Sequence, residues 1–220
     1  MQTGPIFHER NSYRRPLIIA HRGCNNYAPQ NSLPAFEVVA KMGVWAIETD
    51  IHLTRDGVAV CMHDSTLATM TDNDGIIEEM TFEEVRGARI NKGVGADKLP
   101  SDLLRVPTFE EALACIANEA PAHMVLNVEI KEQRPHVADV AIELLEKYGL
   151  LERSVIASFD AQTLLYVQDH YPHVKTQGQP PVKMKHYDPR VLDRMYGMGV
   201  PVNSSKLPTD EDILALVSRP

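Results

Sequence analysis

The chain has 220 residues, 44% of them hydrophobic and 24% charged, which suits one domain or at most two with a substantial core. Its formal net charge of −8 at pH 7 argues against a nucleic-acid backbone as the main partner. The odd count of three cysteines without a dense framework is typical of reduced thiols in a reducing compartment, and the absence of a CxxC pair argues against a zinc knuckle or a redox motif.

The first 15 residues are polar and predict an N-terminal extension, so the domain itself is expected to span residues 16–220. Neither a signal-peptide pattern nor the roughly 18 consecutive apolar residues of a membrane span occurs. The sequence therefore predicts a cytoplasmic protein without an integral membrane segment. It does not indicate an oligomeric state.

Short apolar segments alternate with helical ones in the first part of the chain. The predicted elements are a strand at Leu17–Ala20, a helix at Ser32–Met42, a strand at Trp45–Leu53 and a returning strand at Val58–Met62. The Asp56-Gly57 pair between the last two strands is a strong hairpin signal. A long polar segment, Ser65–Val106, follows, and it contains a short predicted helix at Thr81–Gly87.

Strand and helix also alternate in the second part. The predicted elements are a helix at Pro107–Ala117, a strand at Met124–Ile130, a helix at Pro135–Tyr148, a strand at Ser154–Phe159, a helix at Ala161–His170, weaker strands at Val174–Gln177 and Val200–Val202 with a helix between them, and a helix at Thr209–Val217. This alternation predicts a parallel sheet covered by helices, either a (β/α) barrel or an open doubly wound sheet. The absence of a GxGxxG or P-loop motif disfavours the nucleotide-binding version of the open sheet.

Polar side chains collect at the carboxyl ends of the predicted strands, where active sites of parallel sheets lie. They are His21 and Arg22, Glu48 and Asp50, His63 with Asp64, and Glu129 with Lys131. Because strand residues two apart share a face, Glu48 points the same way as Asp50, and Glu129 the same way as Lys131. His52 shares the parity of Asp50, which leaves open whether it faces the site or is a packed or solvated strand histidine.

Three carboxylates at one point, Glu48, Asp50 and Glu129, would repel each other unless a cation joined them. Oxygen ligands alone favour Mg²⁺ or Ca²⁺. A metal together with Arg22 and Lys131 forms a site that could hold a phosphate. Two histidines, His21 and His63, could transfer protons there near neutral pH.

At these residues the sequence resembles the glycerophosphodiester phosphodiesterase family, in an ordered match that covers roughly Leu17–Asp160. The motifs that carry it are His21-Arg22-Gly23, Ala28-Pro29-Gln30-Asn31-Ser32, Glu48-Thr49-Asp50, Leu53-Thr54-Arg55-Asp56-Gly57, Met62-His63-Asp64, Asn127-Val128-Glu129-Ile130-Lys131 and Ser158-Phe159-Asp160. The tripeptide His-Arg-Gly alone is a weak signal, and the ordered set is a strong one.

The resemblance implies a TIM-type (β/α) barrel with an insertion after the second strand, which would be the segment Ser65–Val106. It also implies hydrolysis of a small-molecule glycerophosphodiester to an alcohol and glycerol 3-phosphate. Its implied roles are metal ligation by Glu48, Asp50 and Glu129, acid–base catalysis by His21 and His63, and phosphate binding by Arg22 and Lys131. Which histidine is the base, and whether water or a substrate hydroxyl attacks, stays open; His21 is taken as the base.

Two departures from the family pattern matter. The family usually has Glu where this chain has Gln30, which removes a charge near the site and bears on metal affinity or substrate orientation. Fewer than eight strands can be placed before Pro220, which leaves open whether the barrel is complete at its C-terminus. Two alternatives are therefore kept: a non-catalytic phosphate-binding or interaction protein on the same fold, and a phosphodiesterase that acts on lysophospholipids.

Overall fold

The computed structural model describes residues 17–132, 134 and 136–178. The strands are β1 (Ile19–Ala20), β2 (Ala46–Leu53), β3 (Ala59–Cys61), β4 (Val125–Ile130), β5 (Ser154–Ser158) and β6 (Lys175–Gly178). The helices are α1 (Leu33–Met42), α2 (Phe82–Gly87), α3 (Phe109–Glu119), α4 (His136–Lys147) and α5 (Ala161–His170). These elements confirm the predicted order. The predicted N-terminal extension and the elements predicted from residue 179 onward lie outside the described residues.

The helix boundaries follow from local capping chemistry. The Ser32 side chain accepts a hydrogen bond from an amide in the first turn of α1, and Gly43 ends the helix in the left-handed conformation at φ 65°. A capping box begins α3, since the Thr108 and Glu111 side chains each accept from the other's backbone amide.

The strands form one sheet in the order β1-β2-β4-β5-β6, and all neighbours in this series are parallel. The predicted hairpin is confirmed, because β3 pairs antiparallel with the last three residues of β2. Within residues 17–178, β1 and β6 are the two edges of the sheet. Because the strands are parallel, their carboxyl ends all lie at the same end of the sheet, which is where the site was predicted.

Two larger apolar cores pack around the strands and the insertion. The larger core packs α1, α3, α4 and α5 against one face of the sheet, with Ile47 and Ile51 of β2 almost fully buried at its centre. The second core is built largely from the predicted insertion, which follows the hairpin strand β3 and not the second strand directly, and it includes Leu67, Ile77 and Leu104. The insertion is thus a packed structure beside the end of β2. Among the described helices, none combines the length and the apolar character needed to cross a membrane.

Candidate active site

The centre of the site is a group of carboxylates on adjacent strands. Glu48 and Asp50 share a face of β2, and Asp50 lies directly opposite Glu129 of β4 in the parallel register. One carboxylate oxygen from each of the three residues lies within 4.8 Å of the others. Asp50 and Glu48 are buried, with exposed fractions of 0% and 5%. The strand pairing therefore creates the convergence that the parity argument predicted.

A tight turn after β1 places Arg22 against these carboxylates. Arg22 adopts φ 59° and the following Gly23 φ 80°, and a Cβ on Gly23 would lie 2.9 Å from that of Ala35. Glycine is therefore required at this position. The turn lets the Arg22 amide donate to Glu48 Oε2 at 2.8 Å, while Arg22 Nε lies 3.4 Å from Asp50 Oδ2.

Lys131 provides the second positive charge. Its Nζ lies 2.9 Å from Asp50 Oδ1 and 2.5 Å from Glu129 Oε1. Burial opposes the charged form of the amine, but the hydrogen bonds with Glu129 and Asp50 outweigh this effect and raise the pKa of Lys131. The ammonium group is therefore permanently charged near neutral pH.

Glu48 is the group that these two cations leave least compensated. Its Oε1 is buried and has no hydrogen-bond partner among the described residues. Burial, followed by repulsion from Asp50, raises the pKa of Glu48 to about 7. A divalent cation held by Glu48, Asp50 and Glu129 would remove this strain, and an all-oxygen donor set fits Mg²⁺ or Ca²⁺. The residues present therefore fit the predicted metal.

The two predicted histidines border the same cavity of about 320 Å³. The predicted site residues among its lining are His21, Arg22, Glu48, His63, Glu129 and Lys131. Burial and then the charge of Arg22 lower the pKa of His21, which favours its neutral form. On the other histidine, His63 Nδ1 lies 2.8 Å from Asp64 Oδ1, which leaves Nε2 of the ring free of that carboxylate.

The structure thus brings together all the residues predicted for the site, and their roles remain predictions. His52 shares the parity of Asp50 but belongs neither to the group of three carboxylates nor to the cavity lining. It is 3% exposed and lies between Glu132 and the backbone of His63. The structure therefore supports the interpretation of His52 as a packed strand histidine.

Two further polar residues contact the predicted site residues. Asn31 is buried at φ 52°; its amide donates to Asp50 Oδ2 at 2.8 Å, and its carbonyl accepts from Thr49. Gln30 accepts from Arg22 Nη1 at 2.7 Å. Both residues belong to the motif after β1, but only the folded turn shows that they orient Asp50 and Arg22.

Comparisons with known proteins place the chain among related sequences. Residues 21–211 match the model of the glycerophosphoryl diester phosphodiesterase family. A glycerophosphodiester phosphodiesterase from Caldanaerobacter subterraneus subsp. tengcongensis is 31% identical over 165 residues, which are 73% of this chain and 65% of that protein. Human glycerophosphodiester phosphodiesterase 1 is 34% identical over 149 residues, or 66% of this chain and 43% of that protein.

Solved structures confirm the predicted fold. A glycerophosphodiester phosphodiesterase from Agrobacterium tumefaciens aligns with a TM-score of 0.63 at 26% identity and covers 74% of this chain and 66% of its own. An Oleispira antarctica phosphodiesterase, solved with its product sn-glycerol-3-phosphate, aligns with a TM-score of 0.66 over 92% and 89% of the chains. At 21% identity the second comparison bears on the fold alone. The fold is therefore that of the TIM-type barrels of these enzymes.

The chain spans 65% or less of the length of the Caldanaerobacter and human relatives. The family match nevertheless covers most of the chain and includes every predicted site residue. The chain belongs to the glycerophosphoryl diester phosphodiesterase family.

Proposed function

We propose that this chain hydrolyses a glycerophosphodiester to an alcohol and glycerol 3-phosphate with the help of Mg²⁺ or Ca²⁺. The observation that carries the proposal is a cavity lined by two carboxylates, two cationic side chains and two imidazoles, with the buried carboxylate of Asp50 next to its lining. The family membership and the relatives named glycerophosphodiester phosphodiesterase support it. A purely structural protein would have no use for this costly arrangement of charges.

In this proposal, Glu48, Asp50 and Glu129 hold the cation. A bound divalent cation supplies Lewis-acid stabilisation of the charge on the phosphoryl oxygens. Asn31 fixes Asp50 from behind through its amide, so that this carboxylate is oriented before any cation binds. The buried Glu48 Oε1, which lacks a partner among residues 17–178, is the oxygen that gains most from the cation.

Arg22 and Lys131 bind the phosphate in this proposal. Both side chains line the cavity, and both already neutralise the carboxylates beneath it. Arginine and lysine at the same site stabilise charge that develops on phosphorus in the transition state. The hydrogen bond from Arg22 Nη1 to Gln30 holds the guanidinium in place without adding another negative charge.

The two histidines divide the proton transfers. The lowered pKa of His21 keeps its imidazole neutral, so it accepts the proton of the attacking oxygen as a new oxygen–phosphorus bond forms. That oxygen belongs either to water or to a substrate hydroxyl, and in the second case water then opens the cyclic phosphate to give glycerol 3-phosphate. His63 pairs with Asp64, and the hydrogen bonds to Thr69 and His63 outweigh burial and lower the pKa of Asp64. In this proposal Asp64 orients the His63 ring through Nδ1, and His63 donates a proton to the alcohol oxygen as the phosphorus–oxygen bond breaks.

A turnover assay tests the proposal. The panel contains glycerophosphocholine, glycerophosphoethanolamine, glycerophosphoinositol and lysophosphatidylcholine, and released glycerol 3-phosphate is measured. We expect turnover that a chelator abolishes and that added Mg²⁺ or Ca²⁺ restores. His21→Ala and His63→Ala should each lower kcat by about a hundredfold or more. His173→Ala, at an exposed position distant in sequence from the motifs, is the matched control and should retain activity.

The same panel separates the alternatives. Cation binding by calorimetry without turnover of any diester would contradict hydrolysis and favour a phosphate-binding protein. Release of choline phosphate or a lysophosphatidate in preference to glycerol 3-phosphate would favour a lysophospholipid phosphodiesterase. A fully active His21→Ala, His63→Ala double variant with an intact circular dichroism spectrum would refute the assignment of both histidines.

A further inference from the structure

A second cluster of polar side chains lies next to the site, on the side of the insertion. Glu132 follows β4 and His52 lies near the end of β2, and each is 3% exposed. A third member is Arg134, whose Nε donates to Glu132 Oε2 at 2.6 Å. Buried ionisable groups are costly unless they are paired, so this cluster requires a physical account.

Glu132 connects the ends of two strands. Its Oε1 accepts the amide N–H of Leu53, the last residue of β2, and its Oε2 accepts from Arg134. Arg134 Nη2 donates in turn to the carbonyl of Leu53 at 3.2 Å. Both polar groups of the Leu53 backbone are therefore bound by side chains that follow β4. The carboxylate of Glu132 is thereby fixed relative to the end of β2.

His52 extends this network to the proposed acid. Its Nε2 lies 3.3 Å from the backbone carbonyl of His63, and its Nδ1 lies 3.7 Å from Glu132 Oε1 without a closer partner. Because a carbonyl oxygen can only accept, Nε2 must carry the hydrogen. The ring therefore bridges a fixed carboxylate and the backbone of His63.

We propose that His52 is a positioning residue that holds the backbone of His63, and with it the imidazole, at the mouth of the cavity. The proposal rests on the proposed function, in which His63 donates a proton. Another restraint on this segment is the bond from the Met62 amide to the Asp50 carbonyl at 3.1 Å, one residue before His63. The contact of His52 with the carbonyl of His63 restrains the next residue along the chain. A proton donor must be held within a fraction of an ångström to act efficiently.

A metal site is the competing account of the same cluster. Ligand atoms of His52, Glu78 and Glu132 lie within 4.8 Å of one another. However, Glu132 already accepts hydrogen bonds on both oxygens, and the positive charge of Arg134 lies beside it. Glu78 is exposed. A positioning role for His52 is compatible with the hydrogen bonds that Glu132 already accepts, whereas a cation bound to Glu132 would have to displace them.

Two conservative variants separate positioning from simple packing. In His52→Gln, the side-chain amide nitrogen reaches the position of Nε2 and can still donate to the His63 carbonyl. In His52→Asn, the shorter amide reaches only the position of Nδ1 and loses that contact. We expect the Gln variant to keep kcat within about threefold of the wild type and the Asn variant to lose between about tenfold and a hundredfold. KM should change little, because Arg22 and Lys131 are untouched.

A second measurement works without turnover. The NMR signal of the His63 ring Cε1–H, assigned by its absence in His63→Ala, should move in the Asn variant and stay at the wild-type position in the Gln variant. Melting temperatures of both variants show whether stability is matched. If the wild type proves inactive, the proposed function fails while the NMR comparison still decides the positioning role.

Three outcomes would overturn the inference. One is equal loss of kcat in both variants. Another is loss of kcat in His52→Asn while the His63 signal stays in place, because positioning must act through that residue. The third is saturable binding of Zn²⁺ to the wild type that both His52 variants abolish while binding of Mg²⁺ is kept.

Discussion

Replacing Glu48 with Gln should stabilise the metal-free protein while it weakens cation binding. The substitution mimics the protonated carboxyl and keeps an oxygen that can accept from the Arg22 amide. It removes the negative charge that burial and Asp50 disfavour. A residue that serves only the fold should not be improved by such a change, whereas a metal ligand should.

The size and pH dependence of the effect follow from the shifted pKa. The pKa of Glu48 rises from 4.5 in a free side chain to about 7 in the folded protein. Between these values the folded state holds a proton that the unfolded chain has released, so metal-free stability falls as pH rises through this window. At about 1.4 kcal/mol per pKa unit, Glu48→Gln should gain about 3 kcal/mol at pH 8 and less than about 1 kcal/mol at pH 5.

Urea unfolding in the presence of a chelator, at pH 5 and pH 8, measures this gain. Saturating cation should remove it, because a ligand at a hundredfold its Kd stabilises the wild type by about 2.7 kcal/mol and the variant binds it more weakly. Glu83→Gln, on the exposed side of α2, changes the charge equally and should alter stability by only a few tenths of a kcal/mol. No gain at pH 8, or an equal gain at both pH values, would refute the reasoning.

Three further variants test residues that contact or position the predicted site residues. Asp64→Asn removes the carboxylate at Nδ1 of His63 and should lower kcat by about tenfold or more at unchanged KM; an unchanged kcat would contradict this. Asn31→Ala removes the donor to Asp50 and should weaken Mg²⁺ binding about tenfold in calorimetry, and unaltered affinity would count against that role. Gly23→Ala, at φ 80°, should lower the free energy of unfolding by about 2 kcal/mol or more; a smaller loss would show that the turn can relax.

The fold was largely predictable because its signals are local. The capping residues Ser32 and Thr108 and the stop at Gly43 lie within a few residues of the boundaries that they set. The Asp56-Gly57 turn likewise predicts its hairpin without any knowledge of distant contacts. What local signals could not predict is how the polar segment after β3 packs, since its core depends on contacts between residues far apart in the sequence.

Strand parity predicted which side chains of the site share a face of the sheet. Parity places Glu48 and Asp50 on one face, and the parallel pairing with β4 brings Glu129 beside them. The same rule gives His52 the same face, yet it cannot show what covers that face. The end of β2 is covered by β3 and by Glu132, so His52 is buried under His63 instead of lining the cavity.

The charges of the site also give a physical meaning to Gln30. Three carboxylates and the cations Arg22 and Lys131 leave one net negative charge, which a divalent cation would convert to one net positive charge. A phosphodiester carries one negative charge, so the proposed substrate would make the loaded site neutral. A glutamate at position 30, in contact with Arg22, would cancel the positive charge before the substrate binds. Gln30 keeps the hydrogen bond to Arg22 without that cancellation, so this departure from the family pattern is compatible with binding of a monoanionic diester.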